Sequence, residues 1–225
     1  MKRLISIILI LIFAMCTCTV AFASETDEYE TMLISESPEG FYDIGEEHYA
    51  YDAAKNLYSK GYIDGDKSGK VYPDNQITRE EAVKIALAIN KVATENGIEI
   101  NVPDFEKVSE WAKDIIATAY KYGVIRGDEE DGSLRPMDNI TRAELLAVAM
   151  RALNVQIDGV SLEFTDVPGN SWYYSYIGAA SELGIVTGYE DGTFKPEDDI
   201  TRADSFVIFD RILTLRTALE NAAMQ

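Results

Sequence analysis

An all-α fold of three similar helix-turn-helix modules is what this sequence predicts, and three observations carry the prediction. The stretch Ile140-Thr141-Arg142-Ala143-Glu144 recurs as Ile77-Thr78-Arg79-Glu80-Glu81 and as Ile200-Thr201-Arg202-Ala203-Asp204, at steps of 63 and 60 residues. Each copy opens a run of helical apolar spacing. Each is preceded by a second, shorter helical run that ends at a glycine.

The repeats follow two segments of different character. Met1-Lys2-Arg3, an apolar run from Leu4 to Ala14 that continues more mixed to Val20, and Ala21-Phe22-Ala23 describe a secretory signal peptide over residues 1–23, cut before Ser24. Polar Cys16-Thr17-Cys18-Thr19 interrupts a run already short for a membrane span, so a retained anchor is disfavoured. Both cysteines of the chain leave with this peptide, which removes disulfides and thiolate metal sites from the mature protein. Losing 23 residues leaves 202, and losing Lys2 and Arg3 takes the formal charge from −19 to −21. Such a field argues against nonspecific nucleic-acid binding and docking on anionic lipid, and any bound anion must be held by locally placed cations. Residues 24–40 are acidic and polar, broken by Pro38-Glu39-Gly40, and read as a flexible leader. The repeats then occupy 41–100, 101–160 and 161–225.

The repeats align on their own residues. Each starts with a short segment: Phe41-Tyr42-Asp43-Ile44, Val102-Pro103-Asp104-Phe105 and Phe164-Thr165-Asp166-Val167. An aromatic follows, Tyr49, Trp111 or Trp172, and then the first helix, which stops at Gly61, Gly123 or Gly184. Four residues on stands a second glycine, Gly65, Gly127 or Gly188. A turn and an extended piece come next: Ser68-Gly69-Lys70-Val71-Tyr72-Pro73, Asp131-Gly132-Ser133-Leu134-Arg135-Pro136 and Asp191-Gly192-Thr193-Phe194-Lys195-Pro196. The proline bars a regular strand there. The Ile-Thr-Arg helix follows, with apolar positions such as Val83, Ala86 and Leu87 in the first copy and Leu145, Leu146 and Val148 in the second. One helix pair cannot bury its apolar surface alone, so the three modules pack on one another, either closed about a pseudo-threefold axis or in an open stack.

In the repeated stretch the Thr and the acid three residues later form a capping box, for which Asp204 is shorter than Glu81 and Glu144 and fits less well. The Arg falls at the first helical position, where the helix dipole disfavours a cation by ~0.3–1 kcal/mol. An unfavourable charge placed three times at one spot suggests anion binding, with exposed helix amides adding to the same field.

An aromatic at the first helix, Gly-x-x-x-Gly, Asp-Gly-x-Phe-x-Pro and Ile-Thr-Arg-Ala-Glu, repeated about every 60 residues from Phe41 to Leu213, strongly resemble the surface-layer homology (SLH) domain. The resemblance implies a pseudo-threefold prism within one chain, the second helices forming a central three-helix bundle. It implies noncovalent attachment to the bacterial cell wall at the cell surface, through a secondary cell-wall polysaccharide bearing ketal-linked pyruvate or through modified peptidoglycan, and the acidic charge leaves room for a polyamine-bearing form of the latter. It assigns the acidic sugar to Arg79, Arg142 and Arg202 in grooves between modules. Tyr49, Trp111 and Trp172 and the backbone near Gly65, Gly127 and Gly188 would line those grooves. The first repeat departs from the pattern at Tyr49, at Ser68-Gly69 and at Glu80, which weakens Arg79 as an anion site.

Blander readings stand beside these. Each Arg can instead pair with an acid of a neighbouring repeat and lock the modules, and the Trp residues can be core. A structural, self-assembling envelope protein is the alternative to a glycan binder. Asp64-Gly65-Asp66-Lys67-Ser68-Gly69 imitates the start of a calcium loop, but Asn75 stands where the bidentate Glu is needed, so a plain turn is expected and no metal or cofactor is assigned. With His48 the only histidine, no hydrolytic triad or zinc site can be assembled, and the chain reads as a non-enzyme. The chain ends at Gln225, soon after the third Ile-Thr-Arg helix, which reads as a free-standing wall protein, an adaptor acting through its leader, or a truncated product.

Overall fold

The computed structural model describes residues 41–154, 157 and 159–224, so the signal-peptide and leader assignments lie outside the described residues. Among the described residues six α-helices form in chain order: α1 (Tyr51–Ser59), α2 (Arg79–Ile89), α3 (Lys113–Lys121), α4 (Arg142–Ala152), α5 (Tyr174–Glu182) and α6 (Arg202–Ala223). Short 3-10 turns at Phe105–Lys107 and Glu110–Ala112 lead into α3. No strand occurs among the described residues, so the all-α class is met.

The short helices α1, α3 and α5 end as their glycines require. Gly61, Gly123 and Gly184 stand at φ values of +72°, +69° and +70°, a conformation that costs a residue with a Cβ about 1–2 kcal/mol. The amide two residues past each cap, on Tyr62, Val124 or Ile185, then bonds back to Leu57, Ala119 or Ala180. The long helices begin on Thr78, Thr141 and Thr201, each of which caps the amide three residues on. The capping box is complete at Glu81 and Glu144, while Asp204 does not return to the Thr201 amide.

Packing does not follow the repeat boundaries. The first helix of each repeat lies on the long helix of the repeat before it: α3 on α2, α5 on α4 and, closing the order, α1 on α6. The two helices of one repeat make no comparable contact. Long helix α2 also touches α4 and α6. Nine of the eleven residues of α4 are buried, so it is enclosed nearly all round rather than on the single face its apolar spacing suggests. Leu57, Ile116 and Ile177 of the short helices join Leu145, Leu146, Phe206 and Phe209 in one continuous core.

The Ile-Thr-Arg stretches close the order with backbone bonds. The Ile140 amide donates to Ile77, Ile77 to Ile200, and Ile200 to Ile140, at 3.1, 3.3 and 3.1 Å. The first two amides of each long helix also donate into the next repeat's turn: Arg79 and Glu80 to Asp138 and Pro136, Arg142 and Ala143 to Asp198 and Pro196, Arg202 and Ala203 to Asn75 and Pro73. The three repeats therefore meet in a closed cycle at this end of their long helices.

Each receiving turn is held by an aspartate from the start of its own repeat. Asp104 accepts from the Leu134 and Arg135 amides at 2.8 and 2.7 Å, and Asp43 and Asp166 grip Val71–Tyr72 and Phe194–Lys195 in the same way. The second residue of each gripped pair, Tyr72, Arg135 or Lys195, sits at a positive φ of 50–57° without being glycine. That strain costs on the order of 1–3 kcal/mol, and two charge-assisted bonds offset it. Asp104 is buried, whereas Asp43 and Asp166 are half-buried. Asp104→Ala should therefore lower the unfolding free energy by about 3 kcal/mol, more than Asp43→Ala or Asp166→Ala, as read by urea denaturation.

Candidate site between the repeats

The arginine at the first position of each long helix reaches across to the next repeat, and one bond fixes it each time. Arg79 Nε donates to the Leu134 carbonyl at 2.9 Å, Arg142 Nε to Phe194 at 3.0 Å and Arg202 Nε to Val71 at 2.7 Å. These carbonyls belong to the turns gripped by Asp104, Asp166 and Asp43. Each guanidinium is thus seated at an inter-repeat junction, its stem buried and its two terminal nitrogens left for another partner.

That partner differs. Arg79 Nη1 lies 3.0 Å from Glu144, and Arg202 Nη1 lies 2.8 Å from Glu81. These two arginines therefore each pair with an acid of a neighbouring repeat. Each glutamate does two jobs with one carboxylate, since the second oxygen of Glu144 or Glu81 accepts the amide of Thr141 or Thr78 in the capping box. By the same cycle Arg142 would pair with residue 204. Asp204 is a methylene shorter, and its carboxylate accepts the Tyr49 hydroxyl at 2.8 Å. Local desolvation of its hydroxyl and that carboxylate push the Tyr49 phenol up to about 12, so it remains a donor. Among the described residues no carboxylate lies within 4.0 Å of Arg142, which packs instead over the Phe194 and Tyr189 rings at 4.7 and 5.2 Å.

A groove of about 780 Å³ opens beside Arg79, lined by Gly127, Arg135, Glu144, Arg151 and Trp172 among others. It draws on all three repeats: an arginine of the first, a glycine loop of the second and an aromatic of the third. Trp172 is thus grouped with Arg79, not with Arg202 of its own repeat. Trp111, Trp172 and Tyr49 are 50%, 52% and 65% exposed, so none of them is core. Lys84 lies over Trp111 at 5.8 Å. Gly127 and Gly188 permit close approach: a Cβ there would come within 2.1 Å of the Gly132 carbonyl or 2.3 Å of the Phe164 ring. Gly65 is looser, at 3.3 Å from Gly69.

Two expectations from sequence need correction. The helix amides beside the arginines are not open to a ligand, because the first two donate to the neighbouring repeat and the third to the capping Thr. Glu80 does not face the Arg79 guanidinium; it is 3% exposed and accepts from the Ser109 amide at 3.1 Å. The calcium-like stretch is a turn, in which Asp66 accepts from the Ser68 and Lys70 amides and the Tyr72 hydroxyl. His48 accepts from the Ala50 amide at the start of α1 and stacks on Tyr49. Sequence reasoning missed the gripping aspartates and Arg135, which lies 2.5 Å from Glu144 and 2.7 Å from Asp128. Asp43, Asp104 and Asp166 were visible as an aligned column, the one signal that could have found them.

Burial raises the Glu144 carboxyl, but Arg79, the Thr141 amide and Arg135 outweigh it and hold the group below its ordinary value of 4.5. Burial likewise lowers Arg79, with Glu144 opposing, and the guanidinium stays charged. A depressed carboxyl stabilises fully above its unfolded value and loses that contribution as pH falls through the folded one. Melting temperature should accordingly drop as pH falls below about 4.5. Glu144→Gln should be less stable at pH 7 by about 3 kcal/mol and show a shallower acid loss in thermal melts.

Comparison with known proteins supplies the family. The S-layer homology domain model matches residues 40–83, 103–146 and 163–204. The chain is 28% identical over 199 residues to "Exoglucanase XynX" of Acetivibrio thermocellus, which covers 82% of this chain and 18% of that protein. It is 31% identical over 175 residues to the "Cellulosome-anchoring protein" of the same species, 73% of this chain and 38% of the relative. It is 25% identical over 177 residues to the "S-layer protein" of Bacillus thuringiensis subsp. finitimus, 76% and 21% respectively. The chain thus spans well under half the length of each of these relatives. Three matched segments, each ending in or just past its Ile-Thr-Arg motif and together spanning more than half the sequence, establish that the chain belongs to the S-layer homology domain family.

Proposed function

We propose that this chain is a non-catalytic anchoring module that holds its bearer on the cell surface by gripping an acidic secondary cell-wall polysaccharide in the grooves between its repeats. The three modules act as the prism that the family implies, exported by way of the signal peptide at residues 1–23. The observation that carries this reading is Arg142. It is 8% exposed, its Nε is spent on Phe194, and among the described residues its terminal nitrogens have no hydrogen-bond partner. A planar pair of donors, fixed in direction and short of an anion, suits a carboxylate such as a ketal-linked pyruvate. The half-exposed aromatics offer faces for the apolar side of a sugar ring.

A second reading has its own support. Asp128, Glu129, Glu130, Asp131 and Glu197 crowd the rim of the groove beside Arg79, and the chain carries a net charge of −19. That surface suits a cationic, polyamine-bearing peptidoglycan.

Pull-down with purified wall sacculi separates the two. On the polysaccharide reading the chain binds untreated sacculi and is lost after acid stripping of the polymer, and Arg142→Ala weakens binding about tenfold or more, the loss of one charge-assisted pair. Binding that survives stripping, and is released by free polyamine, would establish the peptidoglycan reading instead.

A further inference from the structure

The three arginines share a backbone anchor but not an electrostatic setting. Beside Arg79 the charges cancel: Arg79 and Arg135 face Glu144 and Asp128. Beside Arg202 they cancel again, with Glu81 on the guanidinium and Tyr72, the counterpart of Arg135, donating its hydroxyl to Asp66. Beside Arg142 they are not paired off, although Asp191 feels the charge of Lys195 through space. Asp204 falls short and is held by Tyr49, and the counterpart of Arg135 is Lys195, whose ammonium lies 4.4 Å from the centre of the Tyr189 ring that Arg142 also covers. Among the described residues neither Arg142 nor Lys195 has an ion pair.

We infer that the acid closing each Ile-Thr-Arg motif is a built-in counter-ion for the arginine of the repeat before it, so that the three inter-repeat junctions are unequal and only the one at Arg142 and Lys195 leaves its cations free for an anionic sugar. Glu144 and Glu81 occupy the place a ligand carboxylate would take on Arg79 and Arg202. An incoming anion must displace a glutamate oxygen whose carboxylate is held in place by its other oxygen, on the amide of the capping Thr. Asp204 imposes no such competition. The identity of residue 204 thereby sets how many acidic sugars one chain holds. The inference rests on the acidic-glycan reading above.

Isothermal titration of the purified chain with a methyl hexoside bearing a 4,6-linked pyruvate ketal tests it, with thermal melts reporting that each variant is folded. The wild type should bind one ketal per chain, and Arg142→Ala should abolish that binding while Arg79→Ala and Arg202→Ala retain it. Asp204→Glu should weaken binding about tenfold by supplying the missing counter-ion. Glu144→Gln should raise the stoichiometry to two, and Glu81→Gln should do the same at the other closed groove if Glu144→Gln proves unstable. Two or three ketals bound by the wild type, an unaltered Asp204→Glu, or equal losses at all three arginines would overturn the inequality and leave the glycan reading standing. No binding by any variant, the glutamine variants included, would sink the glycan reading and this inference with it.

Discussion

Every long helix of this protein starts inside its neighbour. The first two amides of α2, α4 and α6 have no intrahelical acceptor, and they find carbonyls in the turn of the next repeat rather than water. Three backbone bonds between Ile77, Ile140 and Ile200 complete the cycle. Once a helix must begin there, its first residue must lie at the junction of two repeats, which is where Arg79, Arg142 and Arg202 stand. The glycine turns, the gripping aspartates and the left-handed Tyr72, Arg135 and Lys195 all serve to hold the receiving carbonyls in place. The candidate grooves are thus a consequence of how the repeats close.

Electrostatics then divides what geometry made alike. A glutamate three residues into the helix can cap its own Thr and still reach the preceding repeat's arginine, so fold and junction draw on one side chain at Glu81 and Glu144. The dipole penalty of a cation at a helix start, ~0.3–1 kcal/mol, is small beside such a pairing. Shortening the acid by one methylene at Asp204 breaks the double role: the cap on the Asp204 amide survives, the return bond and the ion pair do not. Tyr49, which stands where the other repeats carry Trp, takes up the freed carboxylate. Two departures from the repeat pattern, far apart in sequence, therefore meet at one place.

The helices, their caps and their glycine stops were legible because each depends on residues within four or five positions of one another. The oddity of the arginine and the shortness of Asp204 were legible for the same reason. Three things were not. The carboxylate of Asp104 reaches amides 30 and 31 residues away, a contact no local pattern encodes. The pairing of α3 with α2, α5 with α4 and α1 with α6 hides behind repeats whose edges suggest that each helix pair is the packing unit. The helix amides that looked open are spent on a neighbouring repeat, which becomes visible only once the cycle is closed. For the same reason Trp172 could be proposed for a groove from sequence but not matched to Arg79.

Native-state hydrogen exchange of the six junction amides, on Ile77, Ile140, Ile200, Arg79, Arg142 and Arg202, tests the closed cycle most directly. If the repeats are one cooperative unit, all six exchange only through global unfolding, with a common free energy and a common dependence on denaturant. Exchange of the amides of one repeat through a smaller opening, with the other two repeats still protected, would contradict it.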